Sequence, residues 1–359
     1  MIGGKVMVGL SGGVDSAVAA ALLLEQDYQV EALFMKNWDE DDEKDYCPAQ
    51  QDLADARAVA ACLDIKLTSI SFSSEYLDRV FEYFLAEYRA GRTPNPDVLC
   101  NQEIKFRAFL DYALHLGADW IATGHYARVG GTGNRRQLLK GRDDNKDQSY
   151  FLYRLTQRAL NHTLFPLGNL IKADVRSLAR QKGFPNFAKK DSTGICFIGE
   201  RKFKDFLGRY LPAQPGEIIS VEGESLGQHQ GLMFHTIGQR QGLGIGGIKD
   251  SSGEPWYVVD KDMQKNRLIV AQGKDHPALF KPSLHARDLH WISGPPPTNS
   301  SRCHARIRYR QSDQACKIMA LNSDTANVSF ATPQRAVTPG QAIVFYEDDQ
   351  CLGGGTICA

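Results

Sequence analysis

The sequence predicts an α/β fold: a parallel sheet at the N-terminal end, then a small β-rich middle domain, then a C-terminal β-barrel domain. Three observations carry this. Over the first ~125 residues, apolar runs of strand length alternate with helical patterns. A glycine-rich turn stands between the first strand and the first helix. Past Lys204–Pro212, Gly and Pro punctuate short alternating runs where helical patterns stood before.

Lys5–Leu10 reads as a buried strand, Val14–Glu25 as an apolar helix and Gln29–Met35 as a second strand. Asp52–Leu63 is predicted helical and Lys66–Phe72 extended. Within Glu75–Tyr88, the residues Tyr76, Val80, Phe81, Phe84 and Tyr88 fall at helical spacing. A helix over Phe106–Leu116 and a strand over Trp120–Thr123 complete the alternation. Gly130–Lys146 reads as an exposed hairpin or loop, with helical patterns at Gln148–Leu155 and Lys172–Gln181. The later strands are Glu217–Val221, Trp256–Asp260, Arg267–Ala271, Cys303–Arg310, Ala326–Phe330 and Ala342–Tyr346, and Pro295–Pro297 interrupts them. The expected units are 1–204, 205–278 and 279–359. Asp39–Asp45 reads as a solvated acidic loop and Gly242–Gly247 as a structural glycine loop.

The chain has 359 residues, with 42 Lys plus Arg against 42 Asp plus Glu. No apolar run approaches the ~20 residues of a membrane span. The N-terminus shows neither signal-peptide nor transit-peptide character, so the expected compartment is the cytoplasm and no membrane partner is expected. The neutral total hides an uneven distribution. Residues 1–90 carry 7 basic and 17 acidic side chains, and residues 131–210 carry 17 and 7. Such asymmetry suggests either a polyanionic partner or pairing between two faces of one domain.

The strongest motif is Gly9-Leu10-Ser11-Gly12-Gly13-Val14-Asp15-Ser16. Glycines let successive N–H groups turn around an anion, and a helix N-terminus adds partial positive charge. Ser11 and Ser16 offer hydroxyl donors. Asp15 beside a phosphate calls for a counter-charge, and Mg²⁺ carried with the nucleotide is the expected one; no dedicated protein metal site is assigned. The loop lacks the Lys of G-x-x-x-x-G-K-[ST] and does not match G-x-G-x-x-G.

Eight cysteines are present, without C-x-x-C or zinc spacing. Cys62 and Cys316 sit in apolar patterns. Cys100 and Cys196 sit in polar segments near basic side chains, where thiolates form more easily. Cys100 lies in Arg92-Thr93-Pro94-Asn95-Pro96-Asp97-Val98-Leu99-Cys100-Asn101, whose two prolines predict a stiff loop that excludes helix. That loop would present Asp97 as acid/base and Cys100 as nucleophile. Cys196 follows Lys189 and Lys190, which also offer phosphate contacts.

The Ser11–Ser16 loop resembles the pyrophosphate loop of the N-type ATP pyrophosphatases, the PP-loop superfamily. On that resemblance Gly9–Ser16 hold pyrophosphate from ATP, while Met35 and Gly124 line the nucleotide site. Adding the Cys100 and Cys196 segments, Thr123–Arg128, Asn145–Phe151 and His235–Gly247, the chain resembles the bacterial tRNA-specific 2-thiouridylases over essentially its whole length. The resemblance implies ATP-dependent 2-thiolation of the wobble uridine (U34) in the tRNAs for Glu, Gln and Lys. It implies that Cys196 carries sulfur as a persulfide received from a sulfur-relay protein or cysteine desulfurase. It implies that Cys100 resolves the persulfide into a Cys100–Cys196 disulfide. Asn95, Pro96 and Asp97 would meet the flipped-out base. His125, Lys146, Asp147, Gln148, Arg308, Tyr309 and Gln341 would contact tRNA. Alternation along a predicted strand puts Arg306, Arg308 and Arg310 on one face, against phosphates or simply solvent. Two other readings stand beside this one: an adenylating ligase acting on a small acid, and a tRNA-binding protein without catalysis.

Overall fold

The structure, a computed structural model, describes residues 3–38, 48–191, 203–245, 253–293, 302–322 and 324–358. Seven strands lie in its first half: β1 (Gly3–Gly9), β2 (Tyr28–Lys36), β3 (Leu67–Ser71), β4 (Trp120–Ala122), β5 (Ala127–Gly130), β6 (Gln137–Lys140) and β7 (Thr163–Leu164). Five form a parallel sheet in the order β3-β2-β1-β4-β7. The chain winds one way from β1 to β3 and the other way from β4 to β7. The crevice beyond the carboxyl ends of β1 and β4 is therefore the switch point where such sheets bind ligands.

The helix Val14–Leu24 is buried on almost every side, from Val14 through Ala21. An apolar-rich helix of this kind belongs inside a layered core. It packs with Ala56, Val59 and Val175 from flanking helices and with Phe184 just beyond one of them. The predicted Glu75–Tyr88 helix forms as Ser73–Tyr76, a π turn at Leu77–Phe81 and Glu82–Arg89. Its Tyr76, Val80, Phe81, Phe84 and Tyr88 all enter the main core.

The proline segment departs from the prediction of a helix-free loop. Asn95 caps a helical turn Pro96–Leu99 by accepting from the Asp97 N–H at 3.2 Å. The helical run then continues through Cys100–Ala108 and Phe109–His115. A proline at the first helical position lacks only an N–H that would be unpaired anyway.

The middle sheet comprises β8 (Gly216–Ser220), β9 (Ser225–His229), β10 (Trp256–Asp262) and β11 (Arg267–Gln272), in the order β10-β11-β8-β9. The last six strands are β12 (Phe280–Trp291), β13 (Arg302–Arg306), β14 (Gln314–Leu321), β15 (Ala326–Arg335), β16 (Ala342–Glu347) and β17 (Gln350–Ile357). They pair in the order β12-β15-β14-β13-β16-β17, and β12 also pairs with β17, so the barrel closes. The β5–β6 hairpin leaves the first half and extends this barrel through β6–β17. One core therefore runs from Cys100, Ile104 and Phe109 through Tyr150 to Val344 and Tyr346 of the barrel. No helix among the described residues is long and apolar enough to cross a membrane.

Candidate active site

The glycine-rich loop leaves β1 at the switch point. Gly12 has φ +76°, and a Cβ there would lie 2.2 Å from the Asp52 carbonyl oxygen. Gly124, just beyond β4, would bring a Cβ within 2.7 Å of the Ser16 nitrogen. Glycine is required at both places because backbone passes backbone. Ser16 Oγ accepts from the Ser11 N–H at 3.2 Å and donates to the Gly13 carbonyl at 3.1 Å, which draws the loop shut. No side chain caps the helix that starts at Val14. Its first-turn N–H groups and dipole are thus available to an anion, and the loop fits a phosphate chain. Met35, near the end of β2, lies against Gly9, with a methyl 3.1 Å from where a Cβ would stand.

Asp15 carries a counter-charge of its own. Lys172 Nζ donates to both its oxygens at 2.7 and 2.8 Å, and the Tyr126 hydroxyl donates at 2.9 Å. Lys172 thus gives Asp15 a protein counter-charge in addition to any cation that arrives with the nucleotide. Lys172 also bonds Asp191 at 2.7 Å, and Asp191 takes Lys146 at 2.6 Å and Arg176 at 2.9 Å. Although partial burial alone would raise the Asp191 pKa, these cations hold it at about 2. Asp191 thereby ties the segment entering residue 192 to the nucleotide loop. Cys196 itself lies outside the described residues, as do Asp39–Asp45, Pro295–Pro297, and Gly246 and Gly247.

Asp97 and Cys100 are three residues apart in the helical run, so they share a face. Cys100 is buried, not displayed on an open loop as expected. Burial raises the Asp97 pKa, with Lys105 partly opposing. A carboxyl that keeps its proton more readily suits acid/base work near neutrality. Three strands of support hold the segment before it. Thr93 N–H donates to the Pro339 carbonyl at 2.9 Å. Gln341 Nε2 donates to the Thr93 and Pro94 carbonyls at 2.9 and 3.3 Å. Thr93 Oγ1 meets Thr236 Oγ1 at 3.4 Å. Barrel and middle domain together thus set the approach to Asp97, and Gln341 spends its amide inside the protein.

His125 is buried beside Phe106 and Phe165, with Nδ1 2.8 Å from Thr123 Oγ1. Burial holds its pKa well below the usual histidine value, so the ring is neutral at pH 7. In the 146–148 segment the three side chains differ. Lys146 reaches Asp191. Asp147 is turned inward, accepting from Arg306 at 2.8 Å and from Gly141 N, Ser149 N and Ser149 Oγ at 3.0–3.1 Å. Gln148 Oε1 accepts from the Tyr126 N–H at 3.0 Å.

The strand carrying the three arginines ends at Arg306, so alternation does not set their faces. Beyond it, Gln311 N–H donates to the Arg308 carbonyl and closes a turn. Arg306 runs inward to Asp147 and Asp313, Arg308 donates to the Ala336 carbonyl at 2.9 Å, and the Tyr309 ring lies tilted against Phe151 with centroids 4.5 Å apart. Lys189 is held by Asp52 and Asp55, so it is not an open phosphate contact. Sequence reasoning gave Lys172, Tyr126 and Asp191 no role, and it placed Arg306 on an outer face rather than on Asp147. Only Lys172, opening a predicted helix, offered a local signal.

Three family models match in series: the "tRNA methyl transferase HUP domain" over residues 4–200, the "tRNA methyl transferase PRC-barrel domain" over 204–272 and the "Aminomethyltransferase beta-barrel domain" over 281–357. A curated protein of Nitrosomonas eutropha, named tRNA-specific 2-thiouridylase MnmA, is 62% identical over 353 residues, 98% of each chain. The chain belongs to the tRNA-specific 2-thiouridylase family. The protein of that name from Escherichia coli O1:K1 is 60% identical over 98% of this chain and 96% of its own. Among solved structures, a 4-thiouridine synthetase–RNA complex with bound ATP covers 58% of this chain and 50% of its own at 16% identity and TM-score 0.37, a likeness too distant to carry function.

Proposed function

We propose that this chain is a sulfurtransferase that uses ATP to convert a tRNA uridine to 2-thiouridine, and that the uridine is U34 of the tRNAs for Glu, Gln and Lys. The observation that carries the reading is one arrangement. An uncapped, glycine-lined helix N-terminus opens at the sheet switch point, and a thiol follows a proton-retaining carboxyl by one helical turn on the adjoining core. Family membership over the whole chain sets aside the small-acid ligase.

The C2 oxygen of uracil is a poor leaving group, and ATP supplies the AMP that makes it a good one. Gly9–Ser16 bind the phosphates, with Ser11 at the exposed edge and Lys172 beside Asp15. Met35 and Gly124 border the nucleotide. Mg²⁺ enters with ATP, and no protein carboxylate is assigned to it. Asn95, Pro96 and Asp97 face the extruded base, and Asp97 moves the proton. Cys196 brings the sulfur as a persulfide received from a sulfur-relay protein or cysteine desulfurase. As the terminal sulfur bonds to C2 and AMP departs, the Cys100 thiolate attacks the Cys196 Sγ and a Cys100–Cys196 disulfide remains. A reductant then restores both thiols. His125, Lys146, Gln148, Arg308 and Tyr309 border the tRNA side; the sequence resemblance also implies Asp147 and Gln341, whose side chains are spent inside the protein. The proposed units are 1–204, 205–278 and 279–359, and the proposed compartment is the cytoplasm, where the tRNA is.

The test incubates purified protein with ATP, a persulfide donor and unmodified tRNA, and measures 2-thiouridine by mass spectrometry of nucleosides. Wild-type protein should form it only with ATP, and Cys100→Ala and Cys196→Ala should each abolish turnover with a persulfide donor. Full thiolation by both variants would sink the mechanism.

A further inference from the structure

Two cysteines outside the active site form a pair that the thiolation chemistry does not use. Cys303 on β13 and Cys316 on β14 are direct partners in the antiparallel register, flanked by Arg302 opposite Lys317. Their sulfurs are 3.6 Å apart. Antiparallel partners have Cα atoms ~4.5–5.5 Å apart. That spacing lies inside the roughly 4.4–6.8 Å range that a disulfide spans. Only side-chain rotation is needed to bring the sulfurs to bonding distance.

The pair sits at one end of the barrel interior. Cys316 packs with Ile318 and Phe330 in the barrel core, and Cys303 lies against the same cluster with more exposure. Both line a cavity of about 490 Å³, with Arg302, Lys317, Phe330 and Glu347 around it. That volume suits a small molecule. Cys100 belongs to a different core cluster, so the two sites are separate.

We propose that Cys303 and Cys316 are an oxidisable dithiol that reduces a low-molecular-weight disulfide bound in this cavity and closes a Cys303–Cys316 disulfide. Cys303 attacks first. It is the more accessible sulfur, and the hydrogen bond from Cys316 lowers its pKa. Its thiolate bonds to one sulfur of the small disulfide and expels the other half as a thiolate. Cys316 loses its proton, attacks the Cys303 sulfur and expels the second half. Two protein thiols are oxidised, one small disulfide is reduced to two thiols, and both protons are accounted for. Arg302 and Lys317 line the cavity together with Glu347 and Asp348, so the lining carries both signs and access to Cys303 rather than charge selects the disulfide.

The full-length protein is equilibrated with oxidised glutathione, quenched with acid, alkylated and digested with trypsin without reductant. The expected product is Cys303–Arg306 disulfide-linked to Gln311–Lys317, lost on dithiothreitol treatment. In Cys316→Ser the reaction should stop at a glutathione adduct on Cys303. The exposed Cys62 is the internal control and should gain an adduct without a link to either. The proposal is overturned if Cys303 and Cys316 are both recovered as alkylated thiols where Cys62 is fully modified. It is also overturned if either links to another cysteine, or if Cys316→Ser leaves Cys303 unmodified. None of these outcomes depends on thiolation activity.

Discussion

Asp147 offers the sharpest test of the site's construction, because sequence and structure give it different jobs. The family resemblance makes it a tRNA contact. The structure buries its carboxylate and surrounds it with Arg306, Ser149 and the Gly141 N–H. A buried anion toward tRNA would also carry the wrong sign for phosphate. In Asp147→Ala, Arg306 keeps Asp313 at 2.6 Å but loses its second carboxylate while only 12% exposed. Breaking a buried pair costs about 3–5 kcal/mol. The retained Asp313 places this case near the lower end. With unfolding entropy of about 2.1 cal/mol/K per residue, a chain of 359 residues shifts by about 1.3 °C per kcal/mol, so the melting midpoint should fall by roughly 4 °C. Asp147→Asn keeps the shape and one acceptor oxygen for the Gly141 and Ser149 N–H groups but turns an amide NH2 toward the Arg306 donor, so it should lose about 1–3 kcal/mol. A cycle with Arg306→Met should show coupling of about 1–3 kcal/mol. Thermal melts followed by circular dichroism measure all five proteins, and tRNA affinity is measured across salt. If Asp147→Ala melts within 1 °C of wild type and instead changes the salt slope of binding, the inward reading is wrong and the tRNA contact stands.

Three other outcomes are expected. Gly340 has φ +91° and would place a Cβ 2.9 Å from the Thr93 backbone, so Gly340→Ala should push the Thr93–Asp97 segment out of place; kcat should drop at least tenfold with ATP binding intact, and an unchanged kcat removes the barrel's positioning role. Asp97 has a folded pKa raised by burial, so its cost is absent below the unfolded carboxylate pKa and grows as pH rises through the folded value; Asp97→Asn should abolish thiolation yet melt higher than wild type at pH 7–8 and equally near pH 4, while a lower melt at pH 7 contradicts burial of the charge. Lys172→Ala leaves Asp15 without its cation, and losing one charged hydrogen bond of about 1.5–3 kcal/mol should raise the KM for ATP roughly 10–100-fold; an unchanged KM detaches Lys172 from the nucleotide.

The alternation of strands and helices and the nucleotide loop were legible because they are local. Period-2 and helical spacing describe neighbours, and Gly9–Ser16 is one continuous turn. The proline segment was misread because Pro94 and Pro96 were treated alike. Pro96 occupies the first helical position, where its ring is pre-set for helix, and Asn95 supplies the cap. The arginine series was misread because alternation persists in sequence past the end of the strand, while Ile307 N–H bonds Gln311 Oε1 and the chain turns. Lys172 with Asp15, Arg306 with Asp147 and Lys140 with Asp313 are 157, 159 and 173 residues apart. No local pattern encodes partners at that separation, so these were invisible before the fold.

The same long-range pairs decide what the uneven charge means. The acidic first ninety residues and the basic 131–210 segment were open to two readings, a polyanion partner or mutual pairing. Much of the asymmetry is mutual. Lys172 meets Asp15, Lys182 meets Glu25, and Lys189 meets Asp52 and Asp55. Within the basic segment itself, Asp191 collects Lys146, Lys172 and Arg176, and Lys140 goes to Asp313 of the barrel. A cation already bonded to a carboxylate releases few counterions on meeting a phosphate, so it adds little to the salt dependence of tRNA binding. The salt slope should therefore be much shallower than seventeen basic residues would suggest. Charge along the chain reports first on how the nucleotide half is stitched together; the case for tRNA rests on the family and on the chemistry of Asp97 and Cys100.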